Sequence, residues 1–213
     1  MSEPPWKIAD ERDRGFADQM ALVLRLAPPL ELSLDLVDSV FDSSCERARS
    51  AELQFRAAFK GTLASLPLSD RAPGLNGVTG HIAESVVESM LVNAGWTPLE
   101  HFTGPLSGGH GIDLAMLSPD FSSVFVIEVK GTLQRRRWPT LTRSEIDQMS
   151  PDWLSQSGNV GMLSVGAGGN DVSGLVVAVQ FARRQWKGVV TLDFSEIAPI
   201  IAPDQLEDLS WLT

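Results

Sequence analysis

The chain of 213 residues has no tyrosine, one cysteine, three histidines and too few basic groups, 17 Lys and Arg against 27 Asp and Glu. Each shortage excludes something. Cys45 alone cannot close an intrachain disulfide or supply a cysteine-rich zinc module, and it fits a reducing compartment. His81, His101 and His110 lack the i, i+4 spacing of a zinc-binding helix. No apolar run approaches the roughly 18 residues that a membrane-spanning helix needs. Residues 1–26 carry Glu3, Asp10, Glu11, Asp13 and Asp18 where a secretory signal would be basic and then apolar. A cytoplasmic protein with no membrane partner is the expectation. A formal charge of −10 also excludes a uniformly basic nucleic-acid binder, so any contact with phosphate has to be local.

What is present is enough for one substantial core: 43% of residues are hydrophobic. Residues 1–75 read as a helical N-terminal extension. Phe16, Met20, Val23 and Leu24 recur at helical spacing until Pro28 and Pro29 stop them, and a second helical pattern over 33–63 carries Leu36, Val40, Leu53, Phe55, Ala58 and Phe59 inward. Between Pro67 and Gly80 the composition turns to loop chemistry, and residues 76–213 are built differently. The stretch 80–94 predicts a helix burying Ile82, Val86 and Met90, with Val87 and Leu91 beside them and Gly95 as its C-terminal cap. Strand patterns follow at 96–102, 112–117 and 124–129, then a helix around 144–155 and strands at 174–181 and 188–194. The run Val124, Phe125, Val126, Ile127, Val129 is apolar on both alternating faces, as a strand covered on both sides requires. The class is α/β.

Two charged residues interrupt that run. Positions two apart on a strand project to one side, so Glu128 and Lys130 point together while Ile127 and Val129 face the opposite layer. Fifteen residues upstream, Asp113 stands in a second apolar segment, Gly111-Ile112-Asp113-Leu114-Ala115. If the two strands are neighbours, Asp113 and Glu128 converge on one divalent cation, with the Val129 carbonyl as a third oxygen ligand. Oxygen ligands and positions open to water suit magnesium or manganese rather than zinc. Lys130 would then orient or deprotonate a water and offset charge on phosphorus. Glu84 and Glu88 lie four apart on one face of the preceding helix, and one of them would reach the metal through water. The plain alternative is a buried ion-pair network that fixes strand register.

Taken together, GHIAESVVESMLVNAGW, HGIDLA, FVIEVKGT and LVVAVQF followed by RRQWKGVV resemble the PD-(D/E)XK nuclease superfamily, in layout its Holliday-junction-resolvase and restriction-endonuclease-like branch. The likeness spans 80 to about 194. It implies a restriction-endonuclease-like mixed sheet of four to five strands flanked by helices, and magnesium- or manganese-dependent cleavage of DNA. By this resemblance Glu84, four residues after Gly80, is the metal-associated acid rather than Glu88. The motif Asp falls on Asp113, and the (D/E)XK pair falls on Glu128 and Lys130. A polar residue in the following helix corresponds to Gln148, with Gln134 a second choice. Ile112 stands where the family name has Pro, and residues 1–75 match nothing in the resemblance.

Substrate contacts are sought in the basic clusters. Residues 76–213 hold 8 basic and 15 acidic groups, yet Arg135, Arg136 and Arg137 adjoin Trp138, and Arg183 and Arg184 lie beside Trp186 and Lys187. Basic groups beside aromatics suit a phosphate track. His110, next to Gly111, is a candidate for substrate contact or proton transfer. Two-strand cleavage would favour a homodimer, and a toxin-type role would call for a protein inhibitor. The rival of another class is a catalytically inactive nuclease-fold module that binds a protein or nucleic-acid partner.

Overall fold

A computed structural model describes residues 15–43, 75–99, 112–141, 148–150, 153 and 171–191. Within them α1 (Gly15–Leu26) buries Met20 and Leu24 and ends just ahead of Pro28 and Pro29, and β1 is Leu30–Glu31. Helix α2 (Leu34–Ser43) starts behind Ser33, whose Oγ accepts from the Leu36 N–H at 3.3 Å. It buries Val37, Val40 and Phe41, spaced one helical turn apart, while Leu36 is half-buried. The side chains of Phe16 and Val23, and the expected continuation over 44–63 with Cys45, lie outside the described residues.

Helix α3 (Leu75–Asn93) begins five residues earlier than the sequence pattern predicts. Gly77 reads as loop but lies in the exposed first turns of the helix, which buries Thr79, Ile82, Ala83, Val86, Val87, Met90 and Leu91 along one side. Its C-terminus is closed by Gly95 at φ +90°, with Gly95 N–H donating to the Val92 carbonyl and Trp96 N–H to the Leu91 carbonyl, each at 3.0 Å. The remaining elements are β2 (Thr97–Pro98), β3 (Leu114–Leu117), β4 (Ser123–Thr132), β5 (Asp171–Gln180), a 3-10 turn (Phe181–Arg183) and β6 (Gln185–Thr191). The helix expected around 144–155, apart from 148–150 and 153, and the last part of the chain lie outside the described residues.

The sheet has six strands in the order β1-β6-β5-β4-β3-β2, not the four to five expected. The extra strand comes from residues 1–75, since Leu30 and Glu31 pair with Trp186 and Gln185 and the Leu32 N–H donates to the Arg184 carbonyl at 2.9 Å. Among the described strands only β4 and β5 are parallel. Both faces of β4 are covered. Ile127 and Val129 join Leu175, Val177 and Val179 against α2 and α3, and Val126 joins Ala115, Val176, Ala178 and Val189 with Met20, Leu24, Leu141, Met149 and Trp153. A tight turn fixes the β3–β4 register: the Asp120 carboxylate accepts from the Ser118 hydroxyl (2.6 Å), the Ser122 hydroxyl (2.8 Å) and the Ser122 N–H (3.2 Å). Those bonds hold the exposed Asp120 carboxyl below its ordinary pKa and support Phe121 at φ +59°. Among the described residues no helix is long and apolar enough to cross a membrane.

Candidate active site

Asp113 precedes β3 by one residue. Extending the register Leu114↔Ile127 one step places Asp113 directly opposite Glu128, on the face that carries Ala115 and Val126. Cross-strand neighbours on one face stand about 5 Å apart at Cβ, so the convergence of these two acids follows from strand pairing alone. Because β3 pairs no further than Ile127, the Val129 N–H turns to a side chain and donates to Asp113 Oδ2 at 2.8 Å. In an antiparallel ladder the N–H and C=O of one residue point to the same neighbour, so the Val129 carbonyl also faces this side.

The Glu128 side chain is fully buried, and apart from the Lys130 ammonium and the facing Asp113 carboxyl its oxygens have no hydrogen-bond partner among the described residues. It forms a close ion pair with Lys130 Nζ, whose side chain is 24% exposed, so Lys130 stands between the buried carboxylate and solvent. Burial pushes the Glu128 carboxyl well above its ordinary pKa, the Asp113 charge pushes the same way, and Lys130 opposes both. Burial also raises Asp113, against the Val129 N–H, Lys130 and Glu128, which lower it.

Glu84 comes from the other layer. Helix α3 packs against the Ile127–Val129 face, and Gly131 lets it approach: a Cβ there would stand 2.7 Å from Ala83 Cβ and 2.9 Å from the Thr79 carbonyl oxygen. That contact sets Glu84 beside the end of β4. Burial raises its pKa from 4.5 to about 7, Asp113 adds to the rise, and Lys130 opposes it. Glu88 is also raised by burial and is opposed by His81, whose Nδ1 lies 4.0 Å from Glu84 Oε2 as well. Three acids and one ammonium thus share the site, leaving two uncompensated negative charges when all are ionised. Among the described residues no three acid, histidine or cysteine side chains gather closely enough to hold a metal by themselves. A metal here would rest on Asp113, Glu128 and the Val129 carbonyl, with Glu84 acting at longer range.

The basic clusters divide. Since β4 and β5 are parallel, the residues that follow them leave the sheet at the same end, beyond Glu128 and Lys130. Arg135, Arg136 and Arg137 after β4, and Arg183 and Arg184 after β5, are exposed there, Arg184 at φ +57°. Lys187 is a correction to the sequence reading. It is buried, its Nζ donates to the carbonyls of Leu24 (2.9 Å) and Arg25 (3.3 Å) at the end of α1, and it lies 4.7 Å from the centre of the Trp138 ring. An ammonium committed to helix-end carbonyls is not a phosphate contact. Burial lowers its pKa and the nearby Arg183 lowers it further. Trp186 is core.

Gln148 is half-buried beside Met149, which packs into the same layer as Val126, and Gln134 is half-buried after β4. His110 lies outside the described residues, as does His101. Sequence reasoning missed Gln180, a fully buried amide at the end of β5 that donates from Nε2 to the Arg137 carbonyl at 2.9 Å. Its only signal is a polar residue closing the apolar run Leu175–Val179. Comparison with family models, curated proteins and solved structures found no match.

Proposed function

We propose that this protein is a magnesium- or manganese-dependent endonuclease hydrolysing DNA phosphodiester bonds, with Asp113, Glu128 and Lys130 as its catalytic centre and Glu84 in support. The observation that carries the reading is the fully buried Glu128 facing Asp113 across two strands, two acids set against the single Lys130 ammonium. Two acids buried together are unfavourable unless a cation joins them. The donors fit a hard ion, because two carboxylates and a backbone carbonyl are all oxygen. Bound there, the ion would polarise the phosphate and acidify a water.

The chain's own groups do the rest. Lys130, released from Glu128, places its ammonium against the phosphate oxygens and the attacking water, where charge develops. Glu84, half-buried beside Asp113 and Lys130, supports the ion as a carboxylate acting through water. The exposed arginines beyond β4 and β5 hold the backbone, while the acidic remainder of the chain directs a polyanion to that rim. Cutting both strands of a duplex favours a homodimer, and the role is one of defence, repair or toxin action, the last with a protein inhibitor.

A second reading, an inactive nuclease-fold module that binds a partner, draws on the Lys130–Glu128 ion pair, which compensates one acid without any metal. Supercoiled plasmid, linear duplex, single-stranded DNA and RNA, incubated in magnesium, manganese or EDTA beside Lys130→Ala and Asp113→Ala, separate the two. Metal-dependent cleavage lost in both variants is expected. No cleavage of any substrate by the unaltered protein favours the binding module.

A further inference from the structure

Buried Lys187 joins three parts of the chain that are distant in sequence. Its ammonium closes the C-terminus of α1 through the Leu24 and Arg25 carbonyls, its stem is carried by β6, and its charge lies over Trp138, the residue after the arginine triplet. The same loop is held from β5 by Gln180, whose amide donates to the Arg137 carbonyl. Two buried polar side chains on one face of the sheet thus fix the backbone and the ring that flank Arg135–Arg137. One of them is also the cap of the N-terminal helix.

We infer that Lys187 is a positioning residue through which α1 holds the Arg135–Arg137 loop in its DNA-binding conformation, so that the N-terminal segment serves substrate binding. The inference rests on the proposed DNA-cleaving function. A lysine serving only as a helix cap could remain half-exposed at the surface and snorkel to water. Here it is buried, and among the described residues the groups that share its charge are helix carbonyls on one side and an indole face on the other. Displacing α1 strips the ammonium of its carbonyls, and the unsatisfied charge moves toward solvent, taking support from Trp138. The arginines then lose their fixed spacing, and ordering the loop again has to be done by the bound DNA.

The test uses the full chain with a labelled duplex DNA in calcium, and cleavage kinetics in magnesium. Lys187→Met keeps the buried stem and removes the charge, and Lys187→Arg restores a charge able to reach the carbonyls and the ring. Trp138→Leu breaks the link from the loop side while leaving Lys187 on α1. The expected result is about tenfold weaker duplex binding and a raised KM in Lys187→Met and in Trp138→Leu, with kcat within about twofold, and substantial rescue by Lys187→Arg. Hydrogen exchange in Lys187→Met should rise in α1 and in 135–138 together. Binding that stays within twofold in Trp138→Leu, or faster exchange confined to α1, overturns the inference while leaving the nuclease reading intact. Unaltered protein that binds no duplex overturns both.

Discussion

Glu84 is held in a state that should cost the folded protein stability, and the cost has a pH signature. Its carboxyl is raised from 4.5 to about 7, first by burial and then by Asp113. At about 1.4 kcal/mol for each tenfold change in proton affinity, that displacement corresponds to roughly 3 kcal/mol. The side chain is 33% exposed, so solvent screening reduces this to about 2 kcal/mol. The sign follows from linkage. Below pH 4.5 the group is protonated in both states and nothing is lost. As pH rises toward 7 the unfolded chain ionises freely while the folded one resists, so stability falls across that window and levels off above it. Glu84→Gln keeps the shape and removes the ionisation. Without metal, the variant should exceed the unaltered protein by about 0.5 kcal/mol at pH 5 and about 2 kcal/mol at pH 8.5. For a chain of this size the latter is about 4–8 °C in Tm. Thermal melts followed by circular dichroism at both pH values measure the difference. An equal gain at the two pH values, or none at pH 8.5, would refute the reasoning and place Glu84 in ordinary solvent.

Two further outcomes follow from the geometry. Gly131→Ala drives a Cβ into Ala83 and the Thr79 carbonyl, whose backbone cannot yield, and should destabilise by about 2–3 kcal/mol in urea titration; a loss under 1 kcal/mol would mean that α3 shifts freely. Arg136→Ala with Arg183→Ala should leave the melt unchanged and lower the slope of log K against log salt by roughly two on duplex DNA, about one per phosphate contact. Arg183 serves better than Arg184, whose left-handed backbone would confound the measurement. An unaltered slope removes this rim from the interface.

The parts legible in sequence are those fixed by local period. The two-sided apolar run at 124–129 is the buried strand β4, and the interruption by Glu128 and Lys130 marks one of its faces. The helix that buries Ile82, Val86 and Met90 and ends at Gly95 was equally plain. What sequence could not supply is long-range. Leu30 and Glu31 are too few to show alternation and become a strand only because Trp186 and Gln185 lie alongside. Lys187 looked like a surface cation because it follows Arg183 and Arg184, yet β6 turns it to the covered face where α1 ends. Glu84 could be preferred over Glu88 only through a family resemblance; in the fold it is the Glu84 carboxyl that feels the charges of Asp113 and Lys130.

The small turn at Ser118–Ser123 lies at the far end of the hairpin from Glu128, yet it acts as the site's ruler. Its Asp120 network counts residues between β3 and β4. A one-residue slip of β3 against β4 would carry Asp113 to the opposite face from Glu128, and the turn together with the buried Leu114, Ala115 and Met116 holds the pairing against it. The facing of Asp113 and Glu128 at one end of this hairpin is therefore tied to three serines and an aspartate at the other.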